Sequence, residues 1–234
     1  MSKLPIPPIP DLARVRGETV NEAISWLKAY YESEGAFFNY LCATRAVKQA
    51  YKGFDSIKQL LAASETEKTQ QGKKSNKEVI EYAAPLAFGR NMHVVDLPRR
   101  QFAFGRDRYS AYRIPFFFVE NGIVHIYYLQ PRKGYVLTHD QMCMVATIHK
   151  RYLLDTEFFG QATDVEYVDL SALPGTKDRM LHQYKLDDLE PWSEKRLADR
   201  LTLISEALDY IEVQDIVRPR RRQPARISPD MPLF

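Results

Sequence analysis

The sequence predicts an α+β protein with a helical N-terminal region, a central mixed β-sheet containing a hairpin flanked by helices, and a C-terminal helix. Three observations lead there. Ser/Thr-x-x-Glu/Gln capping boxes at Thr19 and Glu22, Ser75 and Glu78, and Thr138 and Gln141 each open an apolar stripe of helical spacing. The run IPFFFVENGIVHIYYL sets Asn121-Gly122 between two β-rich stretches, the signature of a two-residue type I′ hairpin, whose central positions both need positive φ. Helix, several antiparallel strands, helix and strand then follow one another, which gives a mixed sheet.

Residues 1–16 carry prolines at 5, 7, 8 and 10 and read as an extended polyproline arm. Such an arm is either a PxxP ligand or a strap on its own domain, and Ile6 and Ile9, which need cover, favour the strap. Residues 17–63 are helical: Val20, Ile24, Leu27 and Tyr31 mark one helix, Phe37 to Tyr51 a second, and Ile57 to Leu61 a short third. Residues 64–75 lack large apolar side chains and read as an exposed linker.

Residues 76–175 form the α/β core. A helix through Val79, Ile80 and Ala83 ends at Pro85, and two or three strands occupy Met92 to Tyr112, with Pro98 and Gly105 as turns. After the hairpin come a helix bearing Met142, Val145, Ile148, Tyr152 and Leu153 and a strand from Val165 to Leu170. Within residues 176–217, the Ser193 to Val213 helix spaces Leu197, Leu201, Ile204, Leu208 and Ile211 by four, three, four and three. This is the pattern of a homodimer seam or of packing on the chain's own core. Residues 218–234 form a basic tail.

The composition is that of a globular chain, 45% hydrophobic over 234 residues. The apolar runs at 114–119 and 123–129 fall far short of the ~20 residues of a membrane-spanning helix, so no membrane partner is expected. The N-terminus has no signal-peptide core, which points to a cytoplasmic location. Cys42 and Cys143 stand a hundred residues apart and make neither a disulfide framework nor a CxxC motif. The net charge of +3 conceals segregation: Arg90 to Lys133 carries eight basic and three acidic residues, Gly134 to Val217 eight and sixteen, and Arg218 onward five and one. A basic face of this kind attracts polyanions, and a basic tail can also pair with an acidic layer of its own chain.

A two-residue loop at Asn121-Gly122 makes paired residue numbers sum to 243, so Arg113 faces Gln130, and one sheet face runs from apolar near the turn to Arg113, Gln130 and Arg132 at the far end. Guanidinium forks and an amide at a sheet edge suit a phosphate or carboxylate. The five histidines make no HxH or HExxH pattern, and no metal-ligand set is expected from them.

Over residues 76–171 the order of helix, antiparallel strands, Gln-x-basic, helix and strand resembles the core of the PD-(D/E)XK, or restriction-endonuclease-like, superfamily. The resemblance places Gln130-Pro131-Arg132 at the Glu/Gln-x-Lys motif, Glu81 or Glu78 as the helix acid and Asp96 as a candidate strand acid, because Arg113 and Pro115 stand where that acid is expected. It implies catalytic candidates Glu81, Asp96, Gln130 and Arg132, and Mg²⁺ as cofactor only in an active nuclease; with Arg in the lysine place and no strand Asp, it implies a degenerate member.

Phosphate-binding candidates are Arg99, Arg100, Arg106 and Arg108, interleaved with Phe102, Phe104 and Tyr109, then Arg113, Arg132, Lys133 and the tail residues Arg220, Arg221 and Arg222. The ending Asp230-Met231-Pro232-Leu233-Phe234 resembles sliding-clamp-binding peptides, with Met231, Leu233 and Phe234 as the contact residues. The resulting expectation is a DNA-associated accessory protein with a nuclease-like core; the alternatives are an active metal-dependent nuclease and a dimeric interaction module that recruits a partner through its termini.

Overall fold

The computed structural model describes residues 4–33, 39–134, 136–172, 175–176 and 178–217. It is an α+β fold in which helices pack on both faces of a five-stranded mixed sheet. The N-terminal segment is bound down over its own chain. Leu4, Ile9, Leu12 and Val15 are buried, and the expected extended arm contains a short helix, α1 (Ile9–Ala13), whose Pro10 sits in the first turn, where no N–H is needed. Helix α2 (Val20–Glu32) has the expected capping box, in which Thr19 accepts from the Glu22 N–H while the Glu22 carboxylate accepts from the Thr19 N–H. Gly17 precedes it at φ +99°, and a Cβ there would lie 2.2 Å from that of Glu22, so only glycine fits this turn.

Helices α3 (Leu41–Tyr51) and α4 (Ile57–Ala62) follow, and then the structure departs from the expected linker. A 3-10 turn at Ala63–Thr66 leads into α5 (Gln70–Ala83), which Thr69 caps by accepting from the Gly72 N–H. Ser75 is thus buried inside the helix instead of starting it. Beside it, the fully buried Asn76 accepts from the Ala43 N–H and donates to the carbonyls of Asn39 and Gly72. That tertiary anchorage of α5 to the start of α3 outweighs the weak helix preference of the polar stretch.

Three strands precede the hairpin, β1 (His93–Asp96), β2 (Gln101–Phe104) and β3 (Arg108–Ala111). Among the described residues, β2 and β3 pair only with each other; their turn, at Gly105 (φ +57°), lies where a Cβ would meet Ser205 Oγ at 2.2 Å. The hairpin of β4 (Phe116–Glu120) and β5 (Ile123–Gln130) has the expected register, from Glu120 opposite Ile123 to Phe116 opposite Tyr127, with Asn121 at φ +52° and Gly122 at +79°. The ladder stops at Phe116. Pro115 has no N–H to donate and Arg113 adopts φ +63°, so the expected Arg113–Gln130 pair is not formed.

Helix α6 (His139–His149) opens on the Thr138/Gln141 capping box, continues through a π-helical turn at Lys150–Leu154, and is followed by α7 (Asp155–Glu157). β6 (Thr163–Asp169) then lies parallel to β5, and β7 (His182–Tyr184), which the sequence did not announce, runs antiparallel to β6. The sheet order is β1-β4-β5-β6-β7.

Strand alternation divides the interior. Ile126, Tyr128, Val165 and Tyr167 face α6, α1, α2 and the last helix, α8 (Glu194–Gln214); Phe116, Phe118, Tyr127, Leu129 and Val168 face α3 to α5. Leu197, Leu201, Ile204, Leu208 and Ile211 are all buried in the first of these cores, with α8 packed along α2. Their heptad spacing therefore serves the chain's own core, and these five side chains are not available as a dimer seam. No helix among the described residues is long and apolar enough to cross a membrane.

Candidate functional site

β5 and β6 are parallel neighbours and end together, Gln130 in register with Asp169. The ends of parallel strands are where open α/β sheets present polar groups, because the helices that cover the faces do not cover the edge. Both side chains belong to the face that carries Tyr128 and Tyr167 and are 4% exposed. Gln130 folds back on its own loop, its Oε1 accepting from the Arg132 N–H at 3.0 Å. Asp169 accepts from the Ser171 N–H at 2.8 Å, and His182 of β7 is its register partner on the other side. Burial pushes the Asp169 pKa up, and the Ser171 hydrogen bonds and the nearby His182 only partly oppose it.

A charged cluster lies behind this pair. Arg179 is buried to 1% side-chain exposure; it donates through Nε to Glu78 Oε2 at 3.1 Å, through Nη1 to the carbonyls of Pro131 and Leu170, and through Nη2 to the Tyr40 hydroxyl. Lys133 Nζ reaches the same Glu78 Oε2 at 2.9 Å. Burial alone would raise the Glu78 pKa, but the Lys133 and Arg179 bonds outweigh it and hold the carboxyl below its ordinary range. Arg179 thereby ties the loop after β5, the loop after β6 and helix α5 into one edge. Arg132 is exposed at this edge, and Arg113, also exposed, leads into β4 from the same end of the sheet. A left-handed arginine costs ~1–3 kcal/mol, a cost tolerated most often at functional positions.

The structure does not gather the four catalytic candidates. Gln130 and Arg132 are adjacent, but Asp96 lies two strands away, on β1, and its carboxylate is held by Lys48. Glu81 faces outward on α5, 3.9 Å from Lys77. Glu78, one turn earlier, is the α5 acid that reaches this edge. Among the described residues, no three His, Cys, Asp or Glu side chains come together as a possible metal site.

The basic candidates separate as well. Arg108 is not a surface cation: its side chain is 6% exposed, and Nη2 donates to Asp209 at 2.6 Å and Glu212 at 2.7 Å, pinning β3 to α8. It packs there because β3 alternates, with Arg108 and Ser110 inward and Tyr109 outward. Arg100 pairs with Glu157 at 3.0 Å, while Arg99 and Arg106 are exposed. Arg220, Arg221, Arg222, Met231, Leu233 and Phe234 lie outside the described residues.

Asp169 and Arg179 escaped the sequence reading. Asp169 carried a usable signal, an acid closing the apolar strand VEYVDL, but its place beside Gln130 depends on a parallel register that no turn motif encodes. Arg179 sits in a polar loop without any motif.

The edge thus offers cations around one neutralised and one buried carboxylate, an arrangement better matched to an anion than to a metal ion. No protein-family profile and no curated protein matches the chain. A solved structure titled "Crystal structure of SSO0001" aligns with 86% of this chain and 89% of its own at 14% identity, with a TM-score of 0.31, a likeness that carries no inference about fold or function.

Proposed function

We propose that this protein binds a nucleic acid through its phosphate backbone at the edge where β5 and β6 end, and does so without cutting it. The observation that carries the reading is the charge arrangement there: Arg132 and Lys133 follow Gln130 after a single proline, buried Arg179 stands behind them, and left-handed Arg113 enters from the same end. Guanidinium and ammonium groups match phosphate oxygens, and neutralising phosphates releases counterions. The order α5, three successive antiparallel neighbours β1-β4-β5, α6 and a parallel β6 is in keeping with the PD-(D/E)XK-like core that the sequence resembles. Gln130-Pro131-Arg132, the run that the resemblance assigns to the motif, begins at the end of the third of these strands, and the lack of a carboxylate on β4 near it supports a binding role over hydrolysis.

The test is anisotropy of a labelled DNA duplex, its single strands and an RNA counterpart between about 25 and about 200 mM salt. The expected result is a steep loss of affinity with salt, and for the double variant Arg132→Ala, Lys133→Ala a slope shallower by up to about two charges and roughly tenfold weaker binding. Binding that ignores salt, or none at the lowest salt, overturns the proposal. One observation favours a second reading, metal-dependent hydrolysis: Asp169 lies beside Gln130. Cleavage with Mg²⁺ that Asp169→Asn abolishes would establish it.

A further inference from the structure

We infer that Glu78 is a built-in stand-in for a phosphate, occupying the cations of this edge until a nucleic-acid backbone displaces it. The inference rests on the phosphate-binding reading and adds its regulation. Glu78 Oε2 sits between Lys133 Nζ at 2.9 Å and Arg179 Nε at 3.1 Å, the two-cation seat that a phosphodiester oxygen takes. The two cations differ in freedom. Arg179, 1% exposed, is fixed by the Pro131 and Leu170 carbonyls and the Tyr40 hydroxyl, so it stays aimed at the seat whichever anion fills it.

Lys133 and Glu78 are 36% and 21% exposed, so an anion can approach from solvent and both side chains can move. The Glu78 carboxyl is held below its ordinary range and is charged at neutral pH. Replacing it with a phosphodiester therefore exchanges one monoanion for another and leaves no buried charge unpaired. Lys74, exposed one turn earlier on α5, can take up the displaced carboxylate. The arrangement accounts for an acid among the cations of a phosphate site: it keeps Arg179 paired when the site is empty, and it weakens binding by competition.

Duplex DNA is again the probe, titrated across salt against wild type, Glu78→Gln and Glu78→Asp. Glutamine removes the competing charge; aspartate keeps the charge but shortens its reach to both cations by one methylene. Glu78→Gln is expected to bind about three- to tenfold more tightly at low salt, with a log–log salt slope steeper by about one, and Glu78→Asp to fall between. Should Glu78→Gln fail to melt cooperatively, Glu78→Asp carries the test. Salt-dependent binding by wild type together with unchanged or weaker binding by a folded variant overturns this inference and leaves the phosphate-binding reading standing. No binding by any of the three proteins overturns both.

Discussion

The two faces of the main sheet bury polar groups by opposite means. On the face covered by α3 and α5, Arg90 remains charged: it donates to Glu120 at 2.7 Å and Glu166 at 3.0 Å, and its guanidinium lies 5.5 Å from the centre of the Tyr51 ring and 5.2 Å from that of Phe118. The Tyr51 hydroxyl donates to Glu166. The Glu120 bond leads the effects that raise the Arg90 pKa, against the cost of burial, with Glu166 adding to it. On the face covered by α6, His149 gives up its charge. It is 0% exposed, its Nδ1 lies 2.7 Å from the Tyr167 hydroxyl, its Nε2 has no partner among the described residues, and burial takes its pKa down to about 3. A guanidinium cannot shed its proton in a protein and must be given countercharge, whereas an imidazole can be buried neutral. The first face should therefore be sensitive to losing a partner and the second to acid.

The largest effect should come from breaking the ionic face. Arg90→Met leaves Glu166 and Glu120 without their cation and should cost about 3 kcal/mol in denaturant unfolding, with part of the loss restored by adding Glu166→Leu. A loss below about 1 kcal/mol would mean that water replaces the guanidinium and that the contrast between the faces is false.

Acid should act mainly on the other face. Because the folded His149 pKa lies below the unfolded value, the unfolded chain binds more protons between the two; the stabilisation is complete above about pH 6.5 and declines as pH falls toward 3. The slope should approach ~1.4 kcal/mol per pH unit, and His149→Phe should remove that share of it. His125, stacked on Phe118 on the first face, has its pKa lowered by burial too and adds acid sensitivity of the same sign, so the difference between wild type and variant is the quantity to read. Equal slopes in the two proteins would refute the neutral-histidine account.

The smallest effect sharpens the comparison. Tyr167→Phe removes only the hydroxyl and leaves His149 Nδ1 unpartnered too, at a cost of about 1 kcal/mol by thermal melting at neutral pH. No change would assign the placement of His149 to ring packing against Tyr112, Tyr128 and Tyr167 alone.

Local signals read true wherever geometry is set by neighbours in the chain. Both capping boxes that lie at real helix starts, Thr19/Glu22 and Thr138/Gln141, formed as their spacing demands, and Asn121-Gly122 set the hairpin register residue by residue. The Ser75/Glu78 match failed because an identical motif can sit inside a helix once a better cap, Thr69, lies six residues upstream and Asn76 is anchored to α3. The site was half legible. Gln130, Arg132 and Lys133 lie within one four-residue stretch at the end of the hairpin, while Asp169 and Arg179 join them through a parallel pairing and a long-range ion pair that periodicity does not record. Arg108 looked like a surface cation because the sequence carries no sign of Asp209 and Glu212 a hundred residues on.

The anchorage of the N-terminal segment bears on the order of assembly. Leu4 is held by Glu212, Pro7 by Ser110, and Val15 and Gly17 by Arg200, so each fastening waits for a residue made a hundred or two hundred positions later. Two of those fasteners lie on the last helix. During synthesis the first turns thus emerge long before the residues that fasten them, and until α8 arrives the side of α2 that packs against it stays open to chaperones.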